Sequence, residues 1–204
     1  MASTDSDGGT HRIDKAALRG ELLDSRRRLT PDDVRDADAA LAARALELDE
    51  LSGAGTVAAY VSVGREPGTR ALLTALHARG VRVLLPVLLP DNDLDWAAYD
   101  GDEHLARAGR GLLEPDGPRL GPDAVLEAET VLLPGLAVDD DGLRLGRGGG
   151  SYDRVLARLA KAGADPALVV LLYDHEVVAR VPEEPHDHPV HAVVTPSGVR
   201  RFTP

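Results

Sequence analysis

The sequence predicts an α/β fold, a three-layer α/β/α sandwich with a mostly parallel central sheet. Short apolar runs alternate with amphipathic helical patterns along the 204 residues, and this alternation is typical of helices packed on a parallel sheet. The run at 56–63 lies between glycines, as buried strands often do. Hydrophobic residues make up 43% of the chain and aromatic residues only 3%, so we expect a core of mostly leucine, valine and alanine.

Two helices are expected at the N-terminal end. Ile13–Arg28 carries apolar residues at helical spacing, and its last three residues, Arg26 to Arg28, are expected to be solvated at the helix end. Thr30 followed by Pro31 is typical of an N-cap with proline at the first helical position. The second helix is expected to run to about Leu51, where a Ser-Gly-Ala-Gly stretch ends it.

A β-α-β unit comes next. Thr56–Val63 predicts a buried strand, Thr69–Arg79 an amphipathic helix, and Val81–Val87 the following strand. A right-handed crossover makes these two strands parallel. Leu94–Tyr99 alternates in polarity and predicts an edge strand that pairs antiparallel, whereas residues 107–118 are expected to form a loop.

The C-terminal half continues the alternation of strand and helix. Strands are predicted at Thr130–Leu133, Ala167–Tyr173, Val190–Thr195 and Val199–Phe202, with a helix at Tyr152–Lys161. The chain contains no internal repeat. We therefore expect a single domain over residues 11–204, preceded by a polar, disordered tip at residues 1–10.

Composition argues against several classes of function. The net charge of −11 disfavours nucleic acid as a partner, because a basic surface supplies most of that affinity. The chain has no cysteine, which excludes thiol catalysis and cysteine metal sites. No apolar stretch is long enough to span a bilayer, and the polar N-terminal end does not resemble a signal peptide. We expect a cytoplasmic monomer with no membrane partner.

Glycine and arginine are concentrated directly after the strand that ends at Leu133. The chain passes through an acidic turn and reaches Arg144, Arg147 and the glycines around them, just before a predicted helix. Such a loop exposes backbone N–H groups at a helix N-terminus, and arginine fits phosphate oxygens in a bidentate manner. Because the loop follows a buried strand, we favour an anion site over a flexible surface loop.

Two further cations point to a nucleotide triphosphate. Lys15 and Arg19 lie four residues apart, so both project from one face of the first helix. Two solvated basic residues are the alternative. The glycine loop matches neither a Walker A motif nor a dinucleotide-binding fingerprint. The spacing therefore indicates phosphate binding without specifying a known motif.

Three acidic residues are candidates for the same site. Asp153 follows the glycines and Asp187 lies in the last loop, and two such carboxylates can hold Mg²⁺ together with phosphate oxygens and water. A first-turn acid is the alternative for Asp153, and zinc on the histidines of the last loop is the alternative metal. Glu66 lies beyond the carboxyl end of the first strand, where we favour a helix-entry acid stabilised by the helix dipole.

The segment LPGLAVDDDGLRLGRGGGSYDRVL, residues 133–156, resembles the signature of the 5-formyltetrahydrofolate cyclo-ligase family, also called methenyltetrahydrofolate synthetases. Its core pattern runs from Arg144 to Asp153, and the resemblance covers nearly the whole chain. The other matching pieces are Lys15-x-x-x-Arg19, Val61 with Glu66-x-x-Thr69, Leu85-Pro86, Gly111 with Glu114-Pro115, Pro182 with His186-Asp187, and Val193-Val194-Thr195. Each piece is weak by itself, but the ordered set is specific.

The resemblance implies an ATP-dependent ring closure. 5-Formyltetrahydrofolate becomes 5,10-methenyltetrahydrofolate through an iminium phosphate, with release of ADP and phosphate and with Mg²⁺ as the metal. The ATP-binding positions that it implies are Lys15, Arg19, Arg144, Leu145, Gly146, Arg147, Gly148, Gly149, Gly150, Ser151 and Tyr152. The implied folate-binding positions are Val61, Glu66, Arg147, Gly148, Gly149, Gly150 and Ser151, and the implied magnesium ligands are Asp153 and Asp187.

Two of these positions are expected to be catalytic. Arg147 is the candidate for stabilising the transferring phosphoryl group, and Lys15 is expected to act with it. The sequence departs from the family pattern at three positions. Many members have tyrosine in place of Ser151 and an aromatic residue in place of Val138, and some have aspartate in place of His191.

Two other functions remain open on the sequence. Sugar-phosphate isomerases use a related sheet architecture, and a shared fold does not establish a shared function. Isomerisation needs no ATP, so nucleotide dependence separates it from ring closure. A non-enzymatic folate- or nucleotide-binding regulator would bind these ligands without turnover.

Overall fold

The computed structural model describes residues 14–184 and 187–202. The predicted tip at residues 1–10, Ile13 and His186 lie outside these ranges. The helices are α1 (Lys15–Arg28), α2 (Pro31–Leu46), α3 (Asp49–Ser52), α4 (Arg70–Ala78) and α5 (Ser151–Ala162). The strands are β1 (Thr56–Ala58), β2 (Arg82–Leu88), β3 (Leu94–Ala98), β4 (Leu105–Arg107), β5 (Leu113–Pro115), β6 (Thr130–Leu133), β7 (Ala137–Val138), β8 (Arg144–Leu145), β9 (Ala167–Leu171), β10 (Ala192–Thr195) and β11 (Gly198–Arg201).

A seven-stranded sheet in the order β11-β10-β9-β6-β1-β2-β3 organises the described part of the chain. Its five inner strands are parallel to one another, and the two edge strands, β3 and β11, are antiparallel to their neighbours. The predicted β-α-β unit and the predicted antiparallel edge strand are both confirmed. Within the described residues, no helix has both the length and the apolar character needed to cross a membrane.

Helices cover both faces of the sheet, because successive strand residues point to opposite sides. On one face, Val57 and Val83 pack with apolar residues of α2 and α4. On the other face, Ala58 and Leu84 pack with apolar residues of α5. The predicted three-layer sandwich with its mostly parallel sheet is therefore confirmed, and its two cores consist mainly of aliphatic side chains.

The helix starts follow from local chemistry. Thr30 caps α2, accepting a hydrogen bond from the backbone of Asp33, while the Asp33 side chain accepts one from the backbone of Thr30. The helix ends at Leu46, earlier than predicted, and α3 is separate. Leu48 has an extended backbone and a side chain that is only 2% exposed. The break turns this leucine into the core, which a continuous helical pattern did not reveal.

Two other predictions needed correction. Pairing of the first strand ends at Ala58, and residues 59–63 leave the sheet as mostly buried, irregular chain after one more bond from Ala59 N to Leu84 O. Residues 107–118, predicted as a loop, contain most of a small antiparallel hairpin formed by β4 and β5. Its strands are three residues long, too short for a reliable alternation of polar and apolar residues.

Helix α1 is fixed by a buried ion pair, so the prediction that Arg26 is solvated was wrong. The Arg26 side chain is 2% exposed and that of Glu176 is 0% exposed. Arg26 Nε donates to Glu176 Oε1 over 2.6 Å, and its Nη2 donates to Gly135 O over 2.7 Å. Burial opposes the charge, but the Glu176 carboxylate outweighs it and raises the pKa of Arg26. The pair joins α1 to the chain beyond β9.

We expect Glu176→Gln to destabilise the protein by about 3–5 kcal/mol, because it leaves the Arg26 charge buried without a counter-ion. Asp24→Asn is the matched control, since it removes the partner of the exposed Arg27 from the same helix and should cost at most about 1 kcal/mol. Urea unfolding measures both. Equal losses in the two variants would contradict the assignment. The double variant Arg26→Met, Glu176→Leu should recover much of the stability lost in Glu176→Gln.

Candidate functional site

A cavity of about 290 Å³ lies outside the carboxyl ends of the central parallel strands. Its walls include Val61 and Val63 beyond β1, Leu88 at the end of β2, and Pro134 beyond β6. From β1 the chain proceeds to β2 on one side, whereas β6, β9 and β10 lie on the other. This reversal of direction between β1 and β6 is where open α/β sheets commonly bind ligands.

The glycine-rich loop forms one wall of this cavity. It joins β8 to α5, and the cavity is lined by residues 146–153 of the loop and the first turn of the helix. Gly150 is the N-cap residue of α5, and no side chain caps the helix there. The first N–H groups of an uncapped helix remain available as donors to an anion. The predicted glycine-rich loop at the start of a helix is thus present, and its binding of an anion stays a prediction.

The side chain of Arg144 links the chain beyond β6 to the first turn of α5. Its side chain is 7% exposed. Its Nη1 donates to Pro134 O over 3.0 Å, and its Nη2 donates to Asp153 Oδ1 over 3.3 Å. Burial lowers the pKa of Arg144, and the negative charges of Asp153 and Asp187 partly offset that effect. Its Nε is buried and has no hydrogen-bond partner among the described residues.

Arg147 and Glu66 join the glycine loop to the segment beyond β1. Arg147 Nε lies 3.1 Å from Glu66 Oε1, and the Glu66 side chain is 10% exposed. The other carboxylate oxygen of Glu66 accepts a hydrogen bond from Val63 N over 2.8 Å. The first turn of α4 contains no acidic residue, so the interpretation of Glu66 as a helix-entry acid was wrong. Its carboxylate lines the cavity instead.

Two tyrosines in the cavity wall have pKa values above the ordinary tyrosine value. Burial is the main cause that raises the pKa of Tyr152, and the negative charge of Glu66 adds to it. The same two causes, in the same order, raise the pKa of Tyr60. Both phenols therefore keep their protons well above neutral pH and offer O–H donors rather than negative charge.

Lys15 and Arg19 of α1 connect that helix to the glycine loop and to the last loop. Arg19 Nε donates to Gly146 O over 2.9 Å. Lys15 Nζ donates to Glu184 Oε2 over 2.8 Å and to Asp187 Oδ2 over 3.0 Å. Burial lowers the pKa of Lys15, but the two carboxylates outweigh it and the net shift is upward. The two cations share one face of α1, as predicted, and neither is a freely solvated side chain.

The predicted site residues therefore form two groups. Val61, Glu66 and the loop itself line the cavity. Lys15, Arg19 and Asp187 are not part of that lining; Lys15 contacts Asp187, and Arg19 contacts the loop at Gly146. Leu145 is a buried strand residue at the start of the loop, and Ser151 lies in the cavity wall at the first position of α5.

The two predicted magnesium ligands lie near a common cation. The negative charges of Asp153 and Asp187 both raise the pKa of Arg144, against the larger lowering that burial causes. Each already has a cationic partner, Arg144 for Asp153 and Lys15 for Asp187. Residues 14–184 and 187–202 contain no group of three side chains that could hold a metal by themselves. Mg²⁺ suits such a site only if the phosphates of a ligand complete its coordination.

Several residues of the cavity wall were not predicted as site residues. Pro134 contributes a backbone carbonyl, Tyr60 lies in the irregular chain beyond β1, and Arg110 and Glu114 come from the β4–β5 hairpin. Pro134 could have been found, because it follows the carboxyl end of a predicted parallel strand. Residues 107–118 were predicted to form a loop, so no prediction placed the residues of the hairpin beside the cavity.

A glycine-rich loop that lines a cavity at the switch point of a parallel sheet, and that is contacted by a cationic helix, is typical of ligand-binding α/β proteins. Comparisons with known proteins identify the family. A sequence model of the 5-formyltetrahydrofolate cyclo-ligase family matches residues 11–196. The chain belongs to the 5-formyltetrahydrofolate cyclo-ligase family.

Individual relatives agree with the family assignment. The chain is 42% identical over 187 residues to the 5-formyltetrahydrofolate cyclo-ligase of Mycolicibacterium smegmatis, covering 89% of this chain and 93% of that protein. It is 34% identical over 179 residues to the 5-formyltetrahydrofolate cyclo-ligase of Escherichia coli K12, covering 85% and 96%. The solved structure of Aquifex aeolicus 5,10-methenyltetrahydrofolate synthetase matches with a TM-score of 0.79 at 27% identity, covering 93% of both chains. The resemblance inferred from the ordered motifs is confirmed.

We expect Gly148→Ala to destabilise the protein by about 1–2 kcal/mol, because Gly148 has a φ of 89°, which side chains disfavour. Space is not the reason, since an added Cβ would meet Arg19 only at 3.5 Å. Gly149→Ala is the matched control: its φ is not positive, and its Cβ would meet nothing within 4 Å. That change should stay within about 0.5 kcal/mol. Thermal unfolding of the two variants distinguishes them, and equal midpoints would contradict the expectation.

Proposed function

We propose that the protein catalyses the ATP-dependent conversion of 5-formyltetrahydrofolate to 5,10-methenyltetrahydrofolate, with release of ADP and phosphate. The observation that carries this proposal is the position of the glycine loop. It lines a largely apolar cavity and is contacted by Arg19 of α1, in a chain of the cyclo-ligase family. One loop can thus bring a phosphate donor and an apolar acceptor substrate into contact.

In this proposal, ATP binds on the side of the loop that faces α1. Lys15 and Arg19 supply positive charge, and Arg144 and Arg147 add two guanidinium groups. The backbone from Leu145 through Gly146, Gly148, Gly149 and Gly150 to Ser151 and Tyr152 supplies N–H donors at the start of α5. Support comes from the uncapped helix terminus and from the contact between Arg19 and the carbonyl of Gly146.

The folate is proposed to occupy the cavity. Val61 and its apolar neighbours suit the ring system, and the Glu66 carboxylate can accept hydrogen bonds from ring N–H groups. Arg147, the glycines 148–150 and Ser151 border both ligands, because they belong to the wall that the cavity shares with the loop. Where many relatives have tyrosine, Ser151 leaves more room against the folate.

The chemistry needs charge stabilisation more than covalent help from the protein. The formamide oxygen of the substrate is a poor leaving group, so it first attacks the γ-phosphorus of ATP and ADP departs. N10 then attacks the iminium carbon, the carbon–oxygen bond breaks, phosphate leaves, and the N10 proton passes to solvent. Arg147 is half exposed and can turn from Glu66 toward the transferring phosphoryl group, where a fixed cation lowers the barrier.

Magnesium is part of the proposal. Asp153 and Asp187 are the candidate ligands, and bound Mg²⁺ would neutralise phosphate charge. Before it binds, Asp187 must exchange its contact with Lys15, and Lys15 is then available to the nucleotide. We also propose a cytoplasmic, monomeric enzyme. ATP, the proposed co-substrate, is available in the cytoplasm.

We expect the purified protein to form methenyltetrahydrofolate from 5-formyltetrahydrofolate only when ATP and Mg²⁺ are both present, because the formyl oxygen must be phosphorylated before the ring can close. The product is followed by its absorbance, with ATP omitted and then restored in the same cuvette. Folded protein that gives no product in the complete mixture would overturn the proposal, and so would product formed at the full rate without ATP.

We expect Lys15→Ala and Arg147→Ala to lower turnover by roughly 10²–10³, the usual effect of removing one fixed donor from a charged transition state. Arg28→Ala on α1 and Lys161→Ala on α5 are the matched controls, because they remove exposed cations from the same helices. Turnover of the controls should match that of the wild type, and thermal midpoints show whether each variant is folded. Turnover of folded Lys15→Ala and Arg147→Ala at the wild-type rate would refute their roles.

A further inference from the structure

Three arginines line the cavity: Arg110, Arg144 and Arg147. Arg144 is paired with Asp153, and Arg147 is paired with Glu66. Within residues 14–184 and 187–202, Arg110 has no carboxylate partner. Its Nη1 donates instead to the neutral amide oxygen of Asn92 over 3.1 Å. Arg110 is thus the cavity cation whose charge no carboxylate in the described chain compensates.

The backbone holds Arg110 in an unusual conformation. Its φ is 60° and its ψ is 20°, and Gly109 and Gly111 flank it. Asn92, its hydrogen-bond partner, has a φ of 65°. Asparagine adopts this region readily, but arginine does so at a cost of about 1–2 kcal/mol. A strained residue of this kind is commonly found at a ligand site, where its side chain must be aimed in one direction.

The β4–β5 hairpin fixes the position of this residue at the rim. Glu114, which follows on β5, accepts a hydrogen bond from Leu88 N over 2.9 Å and so ties the hairpin to the end of β2. Asn92 lies in the turn between β2 and β3. Arg110 therefore approaches the cavity from the β2–β3 side. The segment that contains β7, β8 and the glycine loop leaves the sheet at the end of β6, which lies on the other side of β1.

We propose that Arg110 binds a carboxylate of the glutamyl part of the folate and so determines specificity for the glutamylated substrate. This inference rests on the proposed function. The reacting ring lies against Glu66 and Arg147 in that proposal, and the glutamyl end is proposed to extend along the cavity wall toward the β4–β5 hairpin. The glutamyl group carries two carboxylates, and a protein of net charge −11 repels them unless a local cation offsets its field. Arg110 is free to form that pair without first releasing a carboxylate of the protein.

The test compares two ligands and three variants. The ligands are 5-formyltetrahydrofolate and its bis-carboxamide, in which both glutamyl carboxylates are replaced by neutral amides. The variants are Arg110→Gln, Arg110→Lys and the control Arg107→Gln, which removes an exposed arginine of the same hairpin that is outside the cavity wall. Calorimetry gives each Kd without ATP, and steady-state turnover gives KM and kcat.

Arg110→Gln should weaken binding of 5-formyltetrahydrofolate about tenfold, which corresponds to about 1.4 kcal/mol. KM should rise by a similar factor with kcat unchanged, because the contact is far from the reacting atoms. Binding of the bis-carboxamide should not change. Arg110→Lys should lose less than Arg110→Gln, since it keeps the charge, and Arg107→Gln should behave as the wild type.

Equal losses for both ligands would overturn the proposal, because they indicate a structural role of Arg110. Unchanged binding of 5-formyltetrahydrofolate to Arg110→Gln would also overturn it. Arg110→Gln could weaken binding of 5-formyltetrahydrofolate alone while the wild-type protein shows no turnover. That combination would support the role of Arg110 and refute the proposed reaction. A wild-type protein that binds neither ligand would refute both.

Discussion

Two backbone carbonyls directly beyond β6 each accept a hydrogen bond from a buried arginine, and the site depends on this pair of contacts. Pro134 O accepts from Arg144, and Gly135 O accepts from Arg26. Arg144 belongs to the strand that leads into the glycine loop, and Arg26 belongs to α1. The glycine loop and helix α1 are thus both hydrogen-bonded to two adjacent residues beyond the end of β6. Glycine at position 135 lets this segment lie close to β9, because a Cβ there would lie 2.9 Å from the side chain of Val170.

Three of the four cations that the proposal assigns to ATP are paired with carboxylates in this protein of net charge −11. Lys15, Arg144 and Arg147 all have such partners. A phosphate-bearing ligand therefore exchanges ion pairs instead of meeting bare charges, which limits the net gain in affinity and favours ligands that offer several oxygens.

Local chemistry was readable from the sequence, and long-range pairing was not. The order of strands and helices, the capping residue Thr30 with Pro31 after it, and the glycine loop before α5 follow from short patterns, so they were predicted. The burial of Arg26 was missed because its partner Glu176 lies 150 residues away, and an arginine run at a helix end has the same pattern whether it is solvated or paired. Glu66 and Arg147 illustrate the same limit. The left-handed backbone of Arg110 has no sequence signal except its two flanking glycines.

The contacts of Lys15 couple the binding of nucleotide to the binding of metal in the proposed enzyme. Asp187 is held by the lysine that is assigned to the nucleotide, so one carboxylate is shared between a lysine and the candidate metal position. Any ligand that draws Lys15 away removes the cationic partner of Asp187, and a cation that takes Asp187 removes one of the two carboxylate partners of Lys15, leaving Glu184. Each event makes the other more favourable, and the reciprocity is obligatory for binding free energies. Nucleotide and metal would then bind cooperatively, through the breaking of one ion pair and without any movement of the sheet.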